Sequence, residues 1–270
     1  MLSQPLLMWW LVPLAVAMVC GTACPMLGTL LVVQQRVLST QVMAYGVLPG
    51  LVAAQGLGMP PPVGGLLAAL LTLFLAESLG QRSCQRDQDA IHTVVLAGSL
   101  SIGVLLLHAM NQDAELESLL FGDLLLSGLN DLVAVVTGLL LLLLLLNRRF
   151  TALQWLGLDP QAAADAGLSL RPTQRLLAAL TAWILVTAAQ AIGVILVMAL
   201  LCAPTVIALQ QAKSMNQALW GAAQLGITLT TVGFVLALVC DWPPGPTITL
   251  IAMLAVLVQS IAGRRGMGKV

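Results

Sequence analysis

Between Arg175 and Lys213 the chain runs for about 36 residues without a charged side chain. A helix that crosses a bilayer needs about 20 apolar residues. The run is therefore too long for one span and too apolar for water. It requires two spans with a turn or broken helix between them, and Gln190 and Gly193 mark the place to divide it. The rest of the chain obeys the same constraint. Of 270 residues, 59% are hydrophobic and 8% charged, against roughly 25% charged in soluble domains. So little charge cannot cover a water-facing surface, which rules out a secreted enzyme, a cytosolic α/β domain and a disordered scaffold. The net charge of zero implies no basic patch for nucleic acid. The apolar runs are continuous rather than alternating, which argues against an outer-membrane barrel. The expected fold class is all-α: a polytopic integral membrane protein forming a single transmembrane domain over 1–270.

Nine spans are expected, at about 6–33, 41–58, 62–80, 90–109, 129–147, 173–190, 192–211, 216–240 and 246–263. The alternative is eight spans with a re-entrant segment. The eleven basic residues test this division. With the N-terminus outside, Arg36, Arg82, Arg86, Arg148, Arg149, Arg171, Arg175, Lys213, Arg264, Arg265 and Lys269 all fall in cytoplasmic loops or the C-terminal tail. The opposite loops hold no Lys or Arg. That asymmetry predicts an outside N-terminus and a cytoplasmic C-terminus. Trp9, Trp10 and Trp242 sit at expected outer boundaries, as an interfacial belt would. The first apolar run lacks a basic start and a clean cleavage site, so it reads as a retained helix rather than a signal peptide.

Between the spans, the longest cytoplasmic stretch is Arg148 to Arg175. Within it Asp159 is a plausible N-cap, Pro160 fits the first helical position and Gly167 fits the C-terminal cap. They predict a short helix at about 159–168, read either as a docking element for a cytoplasmic partner or as an interfacial helix lying on lipid. The outside loop 110–128 carries Asp113, Glu115, Glu117 and Asp123 and no base. It is an attractor for cations, a docking surface or a simple solvated loop, and its apolar part is expected to lie as a helix at the membrane surface. Asp131 opens the next span, where the helix dipole favours an acid. Ionisable residues deep in a membrane usually mark a pathway, yet His92, His108 and Glu77 all fall near span ends. Cys20 and Cys24, spaced i,i+4, read as small apolar packing rather than as a metal or disulfide site. No HExxH, paired CxxC, Walker A or GxSxG pattern occurs. The chain is thus not expected to be an enzyme, to bind ATP itself or to carry a resident cofactor. Two readings remain: a permease powered by a separate ATPase, or a membrane assembly factor or intramembrane enzyme. The second should show several polar groups at mid-span, and these are nearly missing.

Five stretches stand out along the chain: GTLLVVQQRVL with AYGVLPGLV, SLLFGDLL with Asp131, LGLDPQAAADAGL, AIGVILVMALLCAPTVIA and DWPPGPTI. Together they resemble one family, the permease subunits of zinc, manganese and iron(-chelate) ABC importers. No one motif is decisive; their order, spacing and topology are specific, and they span almost the whole chain. The resemblance implies import of a divalent transition metal, with zinc and manganese ahead of iron, using ATP hydrolysed in partner subunits. It implies a homodimer in a bacterial inner membrane, two ATP-binding-cassette subunits below it and an extracytoplasmic metal-binding protein above. The helix at 159–168, with Asp159, Pro160, Ala163, Asp165 and Gly167, would be the coupling helix to the ATPase.

One departure stands out. Much of the family carries an Asp and, four residues later, a His in the second span; this chain has Gln41 and Tyr45. The spacing puts both on one helix face. An amide and a phenol are weaker ligands for a bare cation than a carboxylate and an imidazole. The substrate is then a chelate or a different metal, or the metal passes with weaker coordination, or the site has been lost. Gln41 and Tyr45 also fit a plain packing role, hydrogen-bonded across helices. Met198 and Cys202, near Pro204, are candidate soft ligands along a path, with packing as the alternative.

Overall fold

The structure, a computed structural model, describes residues 4–80, 85–110, 120–158 and 170–267. The described residues form nine long helices: α1 (Gln4–Val33), α2 (Val37–Gly56), α3 (Pro61–Gly80), α4 (Gln85–Ala109), α5 (Leu129–Leu158), α6 (Leu170–Ile192), α7 (Val194–Gln211), α8 (Met215–Cys240) and α9 (Pro244–Met267). Each contains a stretch long and apolar enough to cross a membrane. No strand occurs among the described residues. The long uncharged run divides where expected. Gly193 takes φ 83°, a conformation that side chains with a Cβ rarely adopt. Its carbonyl opens α7 by accepting from the Val197 amide at 3.1 Å.

Two of the boundaries that differ from expectation have a clear cause in the structure. Helix α2 begins at Val37 rather than near residue 41 because the turn before it is tight. Gln35 takes φ 55° and the Arg36 amide closes onto the Leu31 carbonyl at 2.9 Å, a left-handed cap that ends α1 at once. Helix α5 runs beyond Arg149 instead of stopping before it. The axis breaks at Arg149 (φ −132°, ψ 23°), and the segment after the break buries Leu153 and Leu156. Gly157 there packs against the Val33 side chain, so apolar burial continues past the pair of arginines that marked the exit in sequence. The expected helix at 159–168 lies outside the described residues, as do Asp113, Glu115 and Glu117.

Helix association in lipid relies on close backbone approach, and small residues supply it. A Cβ on Gly226 of α8 would collide with the Gly21 carbonyl of α1. That carbonyl faces Pro25 four residues on, which has no N–H to give it. The Gly226 contact therefore covers an acceptor that the helix itself leaves bare. Gly28 lies equally close to the Leu201 carbonyl of α7, and beside it the Thr205 hydroxyl donates to the Pro25 carbonyl at 3.0 Å. Thus α1 is locked to both α7 and α8.

At the end of the bundle where α6 turns into α7, residues 120–127 are pinned rather than laid on a surface. Gly122 (φ 74°) sits backbone to backbone against Ile192 and Gly193, Gly245 lies against the Phe121 carbonyl, and Leu124 is buried. The Ser127 hydroxyl donates to the Ala191 carbonyl at 2.9 Å. Asp131 secures the start of α5 by accepting from the Gly128 amide at 2.9 Å.

Candidate functional site: an open stripe on the second helix

Helix α2 is enclosed. Its Gly46 fits against the Thr72 side chain of α3, and Gly50 lies against the Gly64 carbonyl and Ala68 of the same helix. On another side Gly103 of α4 approaches Leu48 and the Pro49 ring nitrogen, so that an added Cβ would sit 3.4 Å from that nitrogen. Between Thr40 and Ala54 every residue is buried except four: Gln41, Tyr45, Pro49 and Ala53. They recur at i, i+4, i+8 and i+12, which is a single stripe along the helix. Both candidate residues from the sequence thus fall on the one open line of an otherwise sealed helix.

The chemistry of that line is polar at two of its four positions. Gln41 offers an amide and Tyr45 a phenol. Pro49 lacks the N–H that would bond to the carbonyl four residues back, which belongs to Tyr45. The Tyr45 carbonyl is therefore left without its helical donor. No side-chain hydrogen bond to Gln41 or Tyr45 is found among the described residues. Their polar atoms are also not among the sealed, unpartnered ones, which belong to Gln34, Thr173, Trp183 and Gln190. The interhelical hydrogen bonds of the packing alternative are accordingly absent among the described residues. An unpartnered amide and phenol facing hydrocarbon would be costly, so the stripe belongs against water, a substrate or a second protein surface.

Met198 and Cys202 lie on a comparable line. Between Val194 and Ala208 of α7, the residues not buried are Ile195, Met198, Ala199, Cys202, Ala203 and Val206, all on one helix face. Helices α2 and α7, which carry the four candidate side chains, touch. Among the described residues no group of three His, Cys, Asp or Glu side chains could hold a metal ion. Cys20 and Cys24 are free and buried in the core beside Val16 and Leu27.

Polar contacts tie α2 down at its Arg36 end. The His92 Nδ1 donates to the Gln88 carbonyl at 2.7 Å, and its Nε2 lies 3.2 Å from the Ser39 hydroxyl. The Arg36 guanidinium is 3.7 Å from a Glu77 carboxylate oxygen. With the Gln174 amide oxygen turned toward it, Arg36 also donates to that oxygen. The sequence places Glu77 and His92 near span ends; the structure couples His92 to α2 and Glu77 to the turn before it. Pro49 and Ala53 were missed as site residues, although their spacing from Gln41 and Tyr45 was a readable signal. At the opposite end a crevice of about 740 Å³ is lined by Trp10, Trp242, Asp123 and Asp241 among others. Trp10 and Trp242 are both exposed there.

Comparison with known proteins adds ancestry to this geometry. The model of the family described as ABC 3 transport family matches residues 8–263. The chain is 31% identical over 251 residues to the chelated iron transport system membrane protein YfeD of Yersinia pestis, covering 91% of this chain and 82% of that one. It is 26% identical over 240 residues to the manganese transport system membrane protein MntC of Halalkalibacterium halodurans, covering 88% and 82%. The solved structure of PsaBC from Streptococcus pneumoniae in complex with Fab superposes with a TM-score of 0.85 at 23% identity, over 93% of this chain and 90% of that chain. That last likeness concerns the fold.

Proposed function

The chain belongs to the ABC 3 transport family, and on that premise we propose that it is the membrane-spanning subunit of an ATP-driven importer for a divalent transition metal. The open stripe of Gln41, Tyr45, Pro49 and Ala53 carries the reading. A polar line along an enclosed membrane helix is what one wall of a substrate path requires, and bared carbonyls at interrupted helices recur in transport sites. The other wall is a second copy of this chain, so the path forms in a homodimer. Relatives named for chelated iron and for manganese support these metals as cargo; zinc follows from the sequence resemblance alone. ATP is consumed by two separate cassette subunits that dock on the basic, cytoplasmic side, where the segment 159–168 with Asp159, Pro160, Ala163, Asp165 and Gly167 is the coupling element. An extracytoplasmic metal-binding protein delivers cargo to the opposite end. The setting is a bacterial inner membrane.

A variation fits the neutral donor set as well: the cargo crosses as a chelate, where an amide and a phenol contact the chelator rather than the metal. The deciding experiment measures cellular zinc, manganese and iron by mass spectrometry. It compares cells lacking the chain with cells complemented by wild type or by Gln41→Leu/Tyr45→Phe, in metal-limited medium with and without a competing chelator. A selective fall in one metal, restored by wild type but not by the double variant, is the expected result. Transport by the double variant at the wild-type rate would remove the stripe from the path. No change in any metal would reject a metal importer altogether.

A further inference from the structure

A second feature lies away from α2 and α7, on the outer wall made by α3, α5 and α6. A groove of about 480 Å³ is walled by leucines, among them Leu66, Leu144 and Leu176, and ends at Arg148 and Arg149. Outward leucines alone mean nothing in a membrane helix, because bulk lipid meets them. The concavity and its charged end are the informative part. The break at Arg149 ends the membrane-spanning part of α5 after 129–148, which is about 30 Å of helix, the thickness of the hydrocarbon layer. The two guanidinium groups are therefore fixed at headgroup depth. Leu144 lies one turn deeper on the same helix, about 6 Å along the axis. Among the described residues no carboxylate lines the groove, and both arginines are exposed, so no described acid there takes up their charge.

We propose that this groove is a seat for one anionic phospholipid, its phosphate held by Arg148 and Arg149 and one acyl chain lying between α3, α5 and α6. The guanidinium fork matches a phosphodiester geometrically, and basic pockets between helices at the cytoplasmic face suit acidic headgroups. A second copy of this chain is the poorer occupant. A two-fold copy centred on the groove would bring its own arginine pair against this one, which like-charge repulsion opposes.

The test is native mass spectrometry of the purified full-length chain in detergent, titrated separately with dioleoylphosphatidylglycerol and dioleoylphosphatidylcholine. The expected result is one retained phosphatidylglycerol per chain, with phosphatidylcholine at least about tenfold weaker, as loss of the surface-charge attraction to two arginines predicts. Arg148→Gln/Arg149→Gln should bring the two lipids to equal affinity. Ala179→Phe, which fills the groove between the leucines, should weaken both. Equal retention of the two lipids by wild type overturns the proposal without reference to any variant. Unchanged preference in the arginine double variant also overturns it. A disulfide-linked dimer formed by Leu144→Cys in native membranes would place a second copy in the groove and overturn it as well.

Discussion

Two chemically identical substitutions, Gly50→Ala and Gly98→Ala, should have opposite effects. In a helix the change from glycine to alanine gains up to about 1 kcal/mol from restricted backbone freedom. At Gly98 of α4 an added Cβ meets nothing within 4 Å, so only that gain operates. At Gly50 of α2 the same Cβ would stand 2.5 Å from the Ala68 Cβ and closer still to the Gly64 carbonyl oxygen of α3. Ordinary contact between carbons needs about 3.5–4.0 Å, so the helices must separate by about 1 Å. Neither obstacle is the end of a flexible side chain. Separation would also weaken the reciprocal contact of Gly64 with Ala54. Overpacking of this kind costs about 1–3 kcal/mol, which outweighs the propensity gain. With about 2–4 °C per kcal/mol for a chain of this size, Gly50→Ala should melt several degrees below wild type and Gly98→Ala at or slightly above it. The assay is thermal unfolding of the purified chain in detergent, followed by the fluorescence of a thiol-reactive dye. If both variants melt together, the close crossing of α2 and α3 is wrong, and with it the enclosure that leaves only one stripe of α2 open.

Gly193→Ala should be the most damaging single methyl, because it combines the strain of φ 83° with contact against the Gly122 and Phe121 backbone; a melting point close to wild type would show that the α6–α7 break tolerates other geometries. Thr205→Val keeps the shape of the side chain and removes its hydrogen bond to the Pro25 carbonyl. Interhelical bonds in membranes average about 0.6 kcal/mol, so the expected loss is a degree or two in the same assay, and a loss above 10 °C would mean that Thr205 does more than bridge α7 to α1.

Much of this architecture was legible before any coordinates. The long runs gave the helices, because a bilayer imposes one length on every span, and Gly193 marked the break because its run was too long for one helix. Positions with two local explanations were read less well. Arg148 and Arg149 looked like the end of α5, but the apolar residues after them, Leu153 and Leu156, are buried against the bundle and extend the helix beyond its break. Local sequence marks where hydrocarbon ends; it does not mark what packs beyond it. Likewise Glu77 and His92 look solitary in sequence, since Arg36 lies 41 positions from one and Ser39 lies 53 from the other. For the site, the i,i+4 pair Gln41 and Tyr45 was visible, but the openness of that line was not. It depends on Gly46, Gly50 and Gly103 drawing α3 and α4 over the rest of α2, a fact about packing between helices.

If the stripe lines the path proposed above, its neutral donors have a consequence for passage. Gln41 and Tyr45 stand one turn, about 6 Å, apart along the helix, and the carbonyl left without a donor by Pro49 is Tyr45's own, so the amide, the phenol and that carbonyl form a short ladder of weak oxygen donors at two adjacent positions. Passage requires binding strong enough to enter and weak enough to leave, and a ladder of neutral oxygens meets the second condition better than a charged trap. The double substitution Gln41→Asp/Tyr45→His should convert the ladder into a trap. On one helix face, a carboxylate and an imidazole together hold a divalent cation far better than an amide and a phenol. The purified variant should therefore retain manganese or zinc through gel filtration, read by mass spectrometry, where wild type retains much less. If the variant retains no more than wild type, the stripe faces lipid or a packed neighbour rather than an aqueous path, and the reasoning that places cargo along α2 fails even if the chain still imports metal.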